Sequence, residues 1–177
     1  MRTKAYDPVS QTISALALDG RGQWIMTAGL AVSAACQIVT AVGLRVLPPL
    51  PRIALAFAGC CGLVVAALPD RLDTAIPHVA ATGLAATLLT IWPLLTVPLG
   101  RPINWTRRVR WAVGASAALG VLLIWLAFDA WRGIHLGLSE RTAATAEMLW
   151  PLVVVVSARY RVRRRTQTRE SALANRD

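Results

Sequence analysis

Only a handful of residues in this chain could do chemistry. His78 follows Pro77 where an apolar run opens. A neutral imidazole there could ligate a metal or accept a proton. The plainer role is a hydrogen bond tying a helix end to a loop. Glu147 sits inside another apolar run, 143–158. A carboxyl at the bilayer centre costs about 2.5–3.5 kcal/mol, so Glu147 is expected to face other helices. Gln37, Thr40, His78 and Arg141 are its candidate partners. A proton relay is the sharper reading; a buried helix-to-helix hydrogen bond is the plainer one. Asp70, Asp73, Asp129, His135 and Glu140 lie in polar segments at the same ends of the apolar runs as His78. Gathered around it, they could hold a divalent metal ion and activate water. Acids of this kind are also ordinary in outward-facing loops. The chain has no HExxH, GxSxG, P-loop or glycine-rich dinucleotide motif. No residue is therefore assigned as catalytic or metal-binding, and no cofactor is implied.

The elements that must position these residues are membrane helices. The chain of 177 residues is 55% hydrophobic and 16% charged, whereas about a quarter of a soluble domain is charged. Its mean hydropathy is +0.51. A net charge of +10 and a pI near 11.3 raise nucleic acid as a partner. That partner is rejected, because the basic residues stand between apolar runs and no basic face is interleaved with aromatics for stacking. Cys36, Cys60 and Cys61 lie inside apolar runs without CxxC or Cys/His metal spacing. They read as small buried hydrophobes. The amino end does not read as a signal peptide, since its apolar run starts only at Trp24, behind Asp7 and Asp19.

Asp7 and Pro8 make a helix start, an N-cap acid followed by proline at the first helical position. Ile13, Leu16 and Ala17 then share one face. Residues 1–23 are expected to be a polar lead-in with a short amphipathic helix at the outer membrane surface; a disordered lead-in is the alternative. Five spans are expected within 24–160, at 24–44, 53–68, 76–99, 111–127 and 143–158. Gly29 with Ser33, Gly59 with Gly62, and Gly114 with Ser116, Ala118 and Gly120 offer small-residue faces for close helix contact. Pro48, Pro49 and Pro51 stop one helix and stiffen the hairpin to the next. Pro93 and Pro98 kink or end the third span. Trp24, Trp105 and Trp111 are interface anchors.

Arginine sets the orientation. One set of alternate loops holds Arg45, Arg52, Arg101, Arg107, Arg108, Arg110 and the tail arginines; the other holds Arg2, Lys4, Arg21, Arg71, Arg132 and Arg141. The first set has roughly twice as many basic residues, and basic loops stay cytoplasmic. The amino end is therefore expected outside and the carboxyl end inside. Residues 161–177 form a basic cytoplasmic tail. Arg159, Arg161, Arg163, Arg164 and Arg165 are expected on the anionic inner leaflet, at about 1 kcal/mol each.

Several stretches resemble one bacterial and archaeal membrane family. Ser10, Gln11, Thr12, Ile13, Ser14, Ala15 and Leu16, with Trp24, Ile25 and Met26 close behind, are similar to its segment before a span. So are His78 opening a span after an acidic loop, and Gly137, Leu138, Ser139, Glu140 and Arg141 before the last span. The family is called domain of unknown function 998. The resemblance covers nearly the whole chain and implies a helical multi-pass protein with no established activity. Members usually have six spans, one of them before the segment matching residues 10–16; here that span is lacking. Restoring it would leave the orientation of everything else unchanged. A missing helix would leave one face for lipid, a second copy or another membrane subunit. The resemblance marks Ser10, Ser14, His78, Glu140 and Arg141 as recurring positions and implies no role for them.

The expected fold class is all-α, a polytopic transmembrane helical bundle with five spans in the cell membrane. The candidate functional cluster is Ser14, His78, Glu140, Arg141 and Glu147. The expected function is that of a non-enzymatic accessory or sensing protein binding a lipid or partner at its outer face. Two alternatives stand beside it. One is an intramembrane metal-dependent hydrolase using His78 with outer carboxylates; the other is a small proton-coupled transporter using Glu147.

Overall fold

In hydrocarbon a backbone must satisfy its own hydrogen bonds, so long apolar runs fold as helices. The computed structural model describes residues 6–16, 22–68, 73–97 and 105–174, the side chains at 105–107, 161–162, 164–166 and 168–174 excepted. Among the described residues every regular element is an α-helix and there is no strand. In chain order these are α1 (Ile13–Leu16), α2 (Gln23–Gly43), α3 (Pro49–Ala67), α4 (Ala75–Leu95), α5 (Trp105–Arg132) and α6 (Leu136–Ala174). Among the described residues four stretches are long and apolar enough to cross a membrane: α2, α3, α4 and Arg108–Arg132 within α5. Their outward faces are greasy: Val32, Val39, Phe57, Val121 and Ile124 are all exposed. Large exposed apolar surfaces of this kind belong against lipid, not water. The apolar part of α6, 143–158, is shorter than the about 20 residues of an ordinary crossing and includes Glu147.

The chain divides into two compact units, Met1–Glu147 and Met148–Asp177. In the first, α2 packs on α3, α3 on α4, α4 on α5, and α1 on α2. Close packing of α2 and α3 depends on glycine. A Cβ on Gly59 would stand 2.7 Å from Ile38 Cγ1 and 2.8 Å from the Ala34 carbonyl oxygen, and one on Gly62 3.0 Å from Ala34 Cβ. The expected Gly29 and Gly114 faces are not used this way, since a Cβ at either would meet nothing within 4 Å.

The prolines act differently from the expectation that they fill the hairpin. Pro48 caps α3, and Pro49 and Pro51 lie inside its first turn. The first amides of a helix have no intrahelical acceptor, so proline removes no hydrogen bond there. The helix thus begins at Pro49 rather than near Ile53. Pro51 also offers its carbonyl to Trp92 Nε1 at 2.7 Å, tying α4 to α3 at a fully buried tryptophan. Arg52 reaches back to the end of α2, donating from Nε to the Ala41 carbonyl (3.0 Å) and from Nη2 to that of Val42 (3.3 Å). It satisfies carbonyls that a helix end leaves without partners.

Asp7 and Pro8 open a turn rather than a helix. Asp7 accepts from the Val9 N–H at 3.0 Å and the Ser10 hydroxyl at 2.6 Å, while its own N–H donates to Gln11 Oε1 at 2.9 Å. A carboxylate held by the next residues makes an Asx-type turn, which competes with helix. The helix starts only at Ile13, with Thr12 Oγ1 accepting from the Ala15 N–H at 3.1 Å as its cap. Ala17, which was to complete the amphipathic face, lies outside the described residues.

The second unit carries the remainder of α6. Leu152, Val153 and Val156 are exposed there, as are Arg159 and Arg163. The side chains of Arg161, Arg164 and Arg165 lie outside the described residues.

Candidate functional site

The site is built on the first turns of α6. Gly133 (φ 66°) and His135 (φ 49°) take left-handed backbone conformations between α5 and α6. Ser139, fully buried, donates its hydroxyl to the Leu136 carbonyl at 3.2 Å. The Leu138 N–H donates to the Val9 carbonyl at 3.1 Å, which brings the amino-terminal segment onto this turn.

Two charged side chains then fasten that segment. Arg141 Nη1 donates to the carbonyls of Pro8 (2.8 Å), Gln11 (3.1 Å) and Gly137 (2.8 Å), and Nη2 donates to the Tyr6 hydroxyl. Its guanidinium carbon also stands 5.7 Å from the centre of the Tyr6 ring. Tyr6 in turn donates to the Thr12 carbonyl at 3.0 Å. A planar guanidinium with five donors suits such a cluster of acceptors better than an ammonium does. One residue earlier, Glu140 Oε2 accepts from the Ile13 N–H at 2.7 Å. A carboxylate at the first turn of α1 satisfies an amide that has no intrahelical acceptor.

Ser14 follows Ile13 and points the other way, to His78. Ser14 Oγ lies 3.1 Å from His78 Nε2, and His78 Nδ1 lies 2.6 Å from the Leu68 carbonyl oxygen. A carbonyl only accepts, so Nδ1 carries the hydrogen; in the neutral ring Nε2 is then the nitrogen that accepts from the serine hydroxyl. Both side chains are buried, Ser14 at 8% exposure and His78 at 5%. Ser14, His78, Glu140 and Arg141 thus meet around one segment, residues 6–16.

A family model described as "Protein of unknown function (DUF998)" matches residues 1–157. The chain belongs to this family. No curated protein and no solved structure matches it. The family match and the apolar helices together make it an integral membrane protein with several helices able to span, and the family description carries no activity. The DUF998 match covers Ser14, His78, Glu140, Arg141 and Glu147 but not Arg159 or the arginines after it.

Glu147 of this DUF998 protein stands apart from the other four. It lies seven residues beyond Glu140, about 10 Å further along α6. Its partner is none of the four expected. Thr90 of α4 donates to Glu147 Oε1 at 3.3 Å, and both side chains are buried. Sequence spacing shows which face of a helix is polar but not which helix lies opposite. Of the acids expected at the outer face, Asp129 is buried at 3% exposure, and its Oδ2 has no hydrogen-bond partner among the described residues. Asp73 and His135 are exposed. Asp70 lies outside the described residues. Among the described residues no group of three His, Cys, Asp or Glu side chains could hold a metal ion. Sequence reasoning missed Tyr6, Thr90 and the Leu68 carbonyl. No motif could have flagged a main-chain carbonyl, but Gly137 four residues before Arg141 was a legible sign of a close backbone approach.

Proposed function

We propose that this DUF998 member crosses the cell membrane five times, with its amino end outside and its carboxyl end inside. The excess of arginine in one set of alternate loops supports the orientation. The apolar part of α6 is the fifth crossing, with Glu147 turned to Thr90. The tail arginines rest on anionic inner-leaflet lipid, and the open Gly29 and Gly114 faces suit a second copy or another membrane subunit. A carboxyl-terminal tag that antibody reaches on intact cells would overturn this arrangement.

On this topology the protein is an accessory or sensing protein that binds a lipid or partner at its outer face. One observation carries the reading: His78 (through Ser14), Glu140 and Arg141 all hold residues 6–16 by polar contacts. Polar contacts exchange with a ligand more readily than a packed core does. Native mass spectrometry of the purified protein tests this for lipid. Retained phospholipid that Arg141→Ala releases supports the reading, and equal retention in both proteins overturns it. Metal-dependent hydrolysis lost in His78→Ala would replace it with the hydrolase reading. Proton-coupled uptake abolished by Glu147→Gln would replace it with the transporter reading.

A further inference from the structure

We propose that Ser14 is a nucleophile activated by His78, and that the pair transfers acyl groups from lipid esters of the outer leaflet. This rests on the outer-face lipid reading above and adds a covalent step to it.

A serine hydroxyl is a weak nucleophile until a base takes its proton. His78 Nε2 is 3.1 Å from Ser14 Oγ, within the reach of a general base. The Leu68 carbonyl, 2.6 Å from Nδ1, holds the ring in the tautomer that leaves Nε2 free to accept. Nucleophile, base and orienting group are therefore present in sequence, the orienting group being a main-chain carbonyl in place of a carboxylate. The serine is also positioned. Glu140 holds the N–H of the preceding residue, and Arg141 holds the carbonyls of Pro8 and Gln11.

The surroundings point to the substrate class. Ile76 and Val79, either side of His78 in the first turns of α4, are 84% and 63% exposed. Trp24 and Ile25, at the start of the helix on which α1 packs, are each 80% exposed. Exposed tryptophan beside exposed aliphatic residues marks the boundary between headgroups and acyl chains. The ester carbonyls of lipids lie at that boundary. The acceptor assigned to the acyl group is an alcohol carried by another lipid at the same boundary.

The step balances without a redox partner. Ser14 Oγ forms a bond to the acyl carbon while its proton passes to His78 Nε2. The ester carbon–oxygen bond breaks, and the departing alkoxide takes that proton and leaves as an alcohol. The acceptor alcohol then gives its proton to Nε2 and attacks the acyl-serine, and Oγ leaves and is reprotonated.

Alkyl fluorophosphonates of short and long chain test this on the full-length protein in native membranes and in detergent. Attack by Ser14 forms an Oγ–phosphorus bond and releases fluoride. Peptide mass spectrometry of the wild type should place the adduct on Ser14, an assignment that needs no variant. His78→Gln should slow labelling about 100-fold. Ser14→Ala should reduce it to background, while Ser33→Ala in α2 should label as the wild type does. No adduct on Ser14 with either probe, in protein that elutes as one monodisperse species, overturns the proposal; so does an adduct confined to other residues. Phospholipid retention without an adduct leaves the binding reading standing and removes the covalent step. Loss of both removes both.

Discussion

Gly137 and the Gln11 carbonyl share a space with no room for a side chain. A Cβ on Gly137 would overlap that oxygen and stand 2.6 Å from the carbonyl oxygen of Pro8. The two oxygens face Arg141 Nη1, so the missing side chain is what lets the guanidinium gather them. Gly137→Ala should push residues 6–16 off α6 at a cost of about 1–3 kcal/mol. Thermal unfolding in detergent and faster amide exchange at Leu138 would show it. An unchanged melting temperature would mean the close approach is dispensable.

Arg141 should not tolerate lysine. A single ammonium cannot meet three carbonyls and the Tyr6 hydroxyl together while lying over the Tyr6 ring. Stability is expected to fall in the order wild type, Arg141→Lys, Arg141→Ala. The alanine variant should lose about 1–2 kcal/mol, because the contacts are charged but only part-buried. Limited proteolysis within residues 6–16 reports the same order.

Two glycines of similar sequence setting should respond in opposite ways. Gly59→Ala drives a methyl into Ile38 and the Ala34 carbonyl, so it should weaken α2–α3 packing by about 1–3 kcal/mol. Gly29→Ala meets nothing and should be neutral or slightly stabilising through helix propensity. A reversed order in unfolding measurements would contradict the helix pairing described above.

Thr90 and Glu147 should be coupled. Thr90→Val removes the hydroxyl that donates to the buried carboxyl and should cost about 1–3 kcal/mol. Adding Glu147→Leu should recover part of that loss, which a double-mutant cycle measures. Strict additivity would show that the two side chains do not interact.

Acid should loosen the amino-terminal turn. The Ser10 hydroxyl, then the Val9 N–H, hold the Asp7 carboxyl below its ordinary value. A carboxylate with a depressed folded-state value stabilises the fold fully above the unfolded value, about 3.9, and progressively less as pH falls below it. Amide exchange at Val9 should therefore gain protection loss below that pH. Asp7→Asn should remove the dependence.

Much of the architecture was legible. Apolar run length set the helices, because hydrocarbon forbids an unsatisfied backbone. Helix boundaries were less legible. Prolines read as a hairpin fit a first turn equally well, and Asp7 has a cap's chemistry whether a helix or a turn follows. The candidate site was legible as residue types at helix ends, but not as a set of contacts. Glu147 illustrates the gap: its need for a partner follows from burial, while the choice of Thr90 follows from where the fold sets that hydroxyl, 3.3 Å from the carboxyl.

Residue order alone determined that this chain is helical, membrane-embedded and charged asymmetrically, since these depend on local composition and on the solvent. Only the tertiary structure decided that Ile13 meets Glu140, 127 positions away, and that Ser14 meets His78 across 64. Such pairings depend on how helices stack and where a backbone comes close enough to exclude a side chain. No local spacing encodes that.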